Sequence, residues 1–186
     1  MKALCVAVCL ILSGCAEARP SPYAVRLDFT GGVCSGTVVG PQVILSAKHC
    51  FAHNALIAVN GEPAKMLAYS NSGEDHILVK VDRKFRRWAR FGLSMRQGDH
   101  ISWTGNPNGM ENIYREGVVS RIEEDEILVQ APVFGGDSGS GVFDETGRVV
   151  GVVTGYKIAW DQNGHSFTLT WLIPLRLNSA NWKAVK

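Results

Sequence analysis

Apolar and polar side chains alternate with a period of two over residues 23–29, the pattern of a half-buried strand. Short apolar, β-branched runs follow at 36–40, 42–46, 56–59, 64–69 and 76–82. Gly31-Gly32, Gly40-Pro41 and Asn60-Gly61 punctuate them, and Asn-Gly between two such runs predicts a tight hairpin. Residues 82–90 interrupt the pattern with a strongly basic run. The rhythm then resumes, with strands predicted at 101–104, 117–122, 127–131, 148–154 and 167–173, a turn-rich loop at 105–109 and an acidic turn at 123–126. Residues 178–186 predict a short terminal helix. Many short strands parted by glycine and proline turns predict an all-β architecture of barrels or a sandwich. The basic break divides one domain of 186 residues into two lobes, 20–88 and 89–186.

Residues 1–18 stand outside this rhythm. Lys2 precedes ten apolar residues, 3–12, too few to cross a bilayer as a helix but the length of a secretory signal. The run ends in Leu12-Ser13-Gly14-Cys15, which resembles a bacterial lipoprotein signal and would make lipidated Cys15 the first mature residue. Ala16-Glu17-Ala18 offers ordinary signal peptidase a competing site. Either cut predicts export. The first gives a lipid-anchored protein of the periplasm or cell envelope, the second a soluble secreted one. Disulfides persist in such compartments. Of the five cysteines, Cys5 and Cys9 leave with the signal and Cys15 is lipidated or lost, so Cys34 and Cys50 form the expected pair. With 46% hydrophobic and 19% charged residues the chain is globular rather than disordered, and a net charge of +2 makes no case for nucleic acid. His and Cys do not cluster at ligand spacing, so neither a metal nor a cofactor is expected.

Chemistry concentrates in Gly135-Gly136-Asp137-Ser138-Gly139-Ser140-Gly141. A tight glycine loop can project the Ser138 hydroxyl while neighbouring N–H groups converge on one point, as acyl transfer requires. A serine hydroxyl is a weak nucleophile until a base takes its proton, and the base needs a carboxylate to orient it. His49 ends an apolar strand directly before Cys50, and Cys34 lies sixteen positions earlier, where a bond between the two would pin the loop that holds His49. Asp75 stands at the entrance of the run 76–82, with Glu74 and Asp82 as neighbouring alternatives. His53, His76, His100 and His165 carry no motif and are expected at the surface or in loops.

The segments "SAKHC", "EDHILVKV" and "GGDSGSG" resemble the three signature blocks of trypsin-like serine proteases of the chymotrypsin fold, in that family's order. "CSGTVVGPQVILSAKHC" and "RVVGVVTG" extend the resemblance over about residues 23–176. It implies two antiparallel six-stranded β-barrels with a short C-terminal helix, in a compact bacterial or viral form. It also implies an exported serine endopeptidase, a monomer acting on protein or peptide substrates. Ser138 would be the nucleophile, His49 the general base and then acid, Asp75 its orienting carboxylate, and the N–H groups of Gly136 and Ser138 the oxyanion hole. Pro132 stands at the family's pocket-base position, where no acidic residue supports a preference for Lys or Arg. Val133, Thr154, Gly155 and Tyr156 would then line a pocket for a small or medium apolar side chain. Two features depart from the family. Lys48 replaces the usual alanine beside the histidine, and no Ile-Val-Gly-Gly start is present to supply Asp137 with an N-terminal amine. The rival readings are an inactive homologue serving as an envelope-binding module and an esterase, whose elbow sits in a strand–helix fold that this chain lacks. The run 83–90 reads as a solvated linker with Phe85 and Trp88 turned inward, or as a docking site for anionic lipid or polysaccharide.

Overall fold

A computed structural model describes residues 20–124 and 126–186, so the signal segment, Cys15 included, lies outside the described residues. Seven strands form the first lobe: β1 (Ala24–Phe29), β2 (Gly32–Val38), β3 (Val43–Ala47), β4 (Leu56–Val59), β5 (Glu62–Pro63), β6 (Met66–Asn71) and β7 (His76–Val81). They pair antiparallel in the order β5-β4-β1-β2-β3-β7-β6. Six more strands close into an antiparallel barrel in the order β10-β13-β12-β11-β8-β9. These are β8 (His100–Gly105), β9 (Ile113–Ile122), β10 (Ile127–Gln130), β11 (Gly141–Asp144), β12 (Val149–Trp160) and β13 (Ser166–Pro174). The helix α1 (Ser179–Lys183) ends the chain, capped by Asn178, whose side chain accepts from the N–H groups of Ala180 and Asn181.

The all-β expectation holds, with one correction. The first lobe is an open seven-stranded sheet, not a closed six-stranded barrel. One edge is the two-residue β5, whose Pro63 has no N–H to offer a further strand, and the other edge, β6, is irregular between Met66 and Ala68. Asn60 (φ 52°) and Gly61 (φ 72°) make the expected hairpin turn, both in the left-handed conformation a type I′ turn needs.

The apolar pattern sorts into two cores. Val25, Leu27 and Phe29 alternate inward from β1 to join Ile44, Leu45, Leu78 and Val79 in the first. Trp103, Val119, Val129, Val142, Val153 and Leu172 fill the second barrel. The tail, although assigned to the second lobe by chain order, packs on the first through Leu175, Leu177, Trp182 and Val185. Asn181 fixes it there by donating to Ser70 Oγ and the Asn71 carbonyl. In the basic run Phe85 packs against the first core as expected, but Trp88 does not turn inward and is 43% exposed beside Arg86 and Arg87.

Candidate active site

β3 and β7 are neighbours, with Ala47 opposite His76, so the residues just beyond their paired ends meet. A single 3-10 turn, Lys48–Phe51, follows β3 and carries His49, while Asp75 immediately precedes β7. Asp75 grips His49 at two points: its Oδ2 accepts from the imidazole Nδ1 at 2.8 Å, and its Oδ1 accepts from the His49 backbone N–H at 2.9 Å. Burial pushes the Asp75 carboxyl upward. The His49 side-chain hydrogen bond, the imidazole's charge, the His49 N–H and the Thr154 hydroxyl outweigh that, leaving it below its ordinary value. The alternatives are engaged elsewhere, Glu74 with Arg176 at 3.8 Å and Asp82 with the Lys65 N–H. Lys48 is exposed. A disulfide joins Cys34 on β2 to Cys50 in the histidine turn.

The glycine-rich loop is held largely from the first lobe. The Ser35 N–H donates to the Ser138 carbonyl at 2.8 Å, and the Gly141 N–H donates to Thr37 Oγ1 at 2.9 Å. Ser35 Oγ donates to the Gly136 carbonyl at 2.7 Å while accepting from both the N–H and the side-chain amide of buried Asn106, so this hydroxyl is fully used. Two carbonyls of the loop are pinned: Gly135 O accepts from Asn108 N–H at 2.6 Å and Asp137 O from Ser140 N–H at 3.0 Å. No described peptide is cis, so the N–H on the far side of each bond points the other way. Those are the N–H groups of Gly136 and Ser138, and neither has a partner among the described residues. Gly136 adopts φ 101°, and a Cβ there would lie 2.3 Å from the Asn106 carbonyl oxygen. The Ser138 hydroxyl donates to the Thr154 carbonyl at 3.2 Å, not to His49.

Asp137 is fully buried beneath this loop. Its Oδ2 accepts from the Phe134 N–H at 2.9 Å and faces the Arg115 guanidinium at 3.4 Å. Burial holds its carboxyl above the usual range, against the pull of that N–H and of Arg115. Gly105 makes room for it, since a Cβ there would sit 2.2 Å from Asp137 Oδ1.

The profile of the trypsin-like peptidase domain matches residues 34–152. The chain belongs to that family. No curated protein matches it by sequence. Among solved structures this trypsin-like peptidase is similar to a Glu endopeptidase, at 20% identity and TM-score 0.66 over 91% of this chain and 92% of that one. It is also similar to the active form of the Rv3671c protease from M. tuberculosis, at 17% identity and TM-score 0.69 over 91% and 82%. The HtrA-type protease AlgW with tripeptide gives 23% identity and TM-score 0.65 over 89% and 59%. At these identities the likeness is one of fold.

Of the residues the peptidase was expected to use for specificity, Pro132 and Tyr156 are exposed and Gly155 half-buried, while Thr154 is buried between Asp75 and Ser138. Val133 is buried in the second core with Met95, Ile101 and Trp103 rather than standing on an open wall. A cavity of about 530 Å³ lined by Tyr23, Trp103, Tyr114 and Phe143 contains none of these residues. Of the four unassigned histidines, His53, His100 and His165 are exposed as expected. His76 is fully buried, with Nε2 against Ser72 Oγ at 2.9 Å. Burial lowers its pKa to about 4, against the opposing effect of the Asp75 charge. Sequence reasoning missed Ser35, Asn106 and Arg115. The only local signal for any of them was a basic residue on a strand otherwise suited to a barrel wall.

Proposed function

We propose that this peptidase is an exported serine endopeptidase. Ser138 attacks the scissile carbonyl, His49 takes its proton and later gives it to the leaving amine, and Asp75 holds the imidazole in the required tautomer. The N–H groups of Gly136 and Ser138 receive the developing oxyanion. The observation that carries this reading is the combination of a histidine gripped at two points by one carboxylate with two unpartnered N–H groups flanking a serine. For attack, Ser138 turns its hydroxyl from the Thr154 carbonyl toward His49 Nε2, a rotation about one side-chain bond of the kind that occurs in about ps–ns at exposed sites.

Arg115 gives Asp137 a cation from within the chain. The loop therefore needs no amine released by proteolysis, and the enzyme is active as soon as it folds. Activity that appears only after an internal nick would contradict this. With no acid at Pro132, cleavage follows a small or medium apolar residue. A peptide-library digest cut mainly after Lys or Arg would refute that preference.

The bond from Ser138 Oγ to Thr154 favours a second reading, an inactive homologue that binds at the envelope. A fluorophosphonate separates the two. The enzyme labels at Ser138 and hydrolyses peptides, Ser138→Ala does neither, and an unlabelled wild type would establish the inactive reading. Export with a lipid at Cys15 is tested by intact mass: a mature chain of unmodified mass beginning at Arg19 would end the lipoprotein version.

A further inference from the structure

The basic run 83–90 lies along one end of the first sheet. Phe85 N–H donates to the Pro41 carbonyl and Ala89 N–H to the Val38 carbonyl, so the run is laid across the turn between β2 and β3. Phe85 and Ala89 pack on the first core, and the residues around them face solvent. Lys84, Arg86, Arg87 and Arg90 are exposed, and none of their side chains has a hydrogen bond or ion pair among the described residues. Arg83 differs, being engaged with Glu62 and the Val59 carbonyl. Residues 83–98 contain no Asp or Glu. The acids beside the stretch are occupied: Asp82 accepts from the Lys65 N–H, and Asp144, next to Gly92, accepts from the N–H groups of Thr146 and Arg148. Trp88 stands exposed among these cations, and Leu93, five positions on, is fully exposed. The field of four unneutralised cations is thus combined with apolar area that water solvates poorly.

We propose that the stretch from Lys84 to Leu93 is a docking surface for an anionic lipid bilayer. Its cations neutralise headgroup charge, Trp88 settles at the headgroup boundary, and Leu93 enters the acyl region. The apolar pair favours a bilayer over a soluble polyanion, because a polysaccharide or nucleic acid offers Leu93 no apolar phase to enter. Two features of the fold agree with this. Tyr23, where the chain enters β1, accepts through its carbonyl from Val38 N–H, and the Val38 carbonyl accepts from Ala89 N–H. Neighbouring backbones at about 4.8 Å place Tyr23 within about 10 Å of Ala89. The eight positions from Cys15 to Tyr23 span about 28 Å at most, so a lipid at Cys15 and this surface can enter one membrane. The second feature is the placement of the cleft. Pro41 precedes β3 and His49 follows it, so the five residues of β3 hold the surface and the candidate active site about 16 Å apart. A docked protein therefore keeps its cleft off the bilayer. The docking does not rest on the peptidase reading, since it uses none of the residues assigned to acyl transfer.

The test is vesicle binding by the unlipidated mature chain, residues 19–186, which keeps both cores and the tail and carries no acyl group of its own. The probes are vesicles of phosphatidylcholine alone and of equal parts phosphatidylcholine and phosphatidylglycerol, read by flotation and by tryptophan emission. Wild type should bind the mixed vesicles with a blue shift, release them at high salt as exposed charges are screened, and ignore pure phosphatidylcholine. Arg86→Gln with Arg87→Gln should weaken binding about 25-fold, at about fivefold for each cation near the surface. Arg121→Gln with Lys157→Gln, an equal loss of charge on the second barrel, should leave it unchanged. Trp88→Phe should lose the blue shift, and Trp160→Phe, exposed on β12, should keep it. No binding, equal binding to both vesicles, or equal weakening by the two charge pairs overturns the proposal. An emission shift that survives Trp88→Phe and vanishes in Trp160→Phe moves the contact to β12 and overturns it as well. Retention on heparin without binding to mixed vesicles assigns the surface to soluble polyanions and likewise overturns the bilayer.

Discussion

The two halves of the candidate site are supported in different ways. In the first sheet His49 and Asp75 are twenty-six residues apart, yet they meet because β3 and β7 are neighbours with Ala47 opposite His76. Two hydrogen bonds tie the carboxylate to His49, and the Thr154 hydroxyl of the second barrel adds to them. In the second barrel Ser138 lies on a loop between β10 and β11 that is held from both lobes: Gly139 N–H donates to the Val153 carbonyl and Val153 N–H to the Ser140 carbonyl within its own barrel. Ser35 reaches it across 101 positions to Gly136, Thr37 across 104 to Gly141, and Arg115 braces Asp137 from below. The meeting of His49 and Asp75 thus follows from strand pairing within one sheet, whereas the Ser138 loop takes bonds from both lobes. A loop supported this way can hold glycines in left-handed conformations and leave two N–H groups free among the described residues, because its own turns and bonds from both lobes together fix its backbone.

The contrast can be broken at either end. The largest effect is expected on the histidine side, where Asp75→Asn should lower kcat about 10⁴-fold by presenting the wrong hydrogen-bonding partner to His49, with the fold retained by circular dichroism. Unchanged kcat would remove Asp75 from the mechanism. On the loop side, Gly136→Ala should lower kcat about 10²–10³-fold, since φ 101° and the 2.3 Å approach to the Asn106 carbonyl force the donor out of place. Steady-state kinetics with unchanged stability would show that the loop, not the barrel, carries the cost.

The disulfide joins the two supports, because Cys34 lies next to Ser35 and Cys50 next to His49. Replacing both cysteines with serine should cost about 3 kcal/mol for a loop of this size, read as a lowered urea midpoint. No shift would mean that strand pairing alone sets the histidine turn. The smallest effect concerns His76. Its folded pKa lies near 4 and its unfolded value at 6.5, so between those limits the unfolded chain binds more protons. Stability should fall as pH drops from about 6.5 toward 4, and His76→Gln should flatten that slope in denaturant titrations. Asp75, whose carboxyl is held low, contributes its own loss only as pH falls below its ordinary value of 3.8. An equal slope in the variant would place the acid sensitivity elsewhere.

Strand positions were legible because a half-buried strand writes its period into the residues, as Val25, Leu27 and Phe29 do. The rule also has a blind side. β7 is buried on both faces, so alternation carried no information and His76 read as a surface residue when it is fully buried. The outer half of β12 did write its period, in Tyr156, Ile158 and Trp160, but the glycine before it and the lysine within it masked the strand's extension to Trp160.

By itself the chain singled out His49, Asp75 and Ser138 as the candidate site, because each sits in a short motif that resembles a block of the family. It also determined that the fold is built of short strands. Only the tertiary structure decided that the first sheet stays open, that Arg115 is the cation facing Asp137, and that Ser35 and Asn106 hold the glycine-rich loop. Those are contacts between residues far apart in sequence, and nothing in a residue's own neighbourhood records which distant backbone group its side chain will meet.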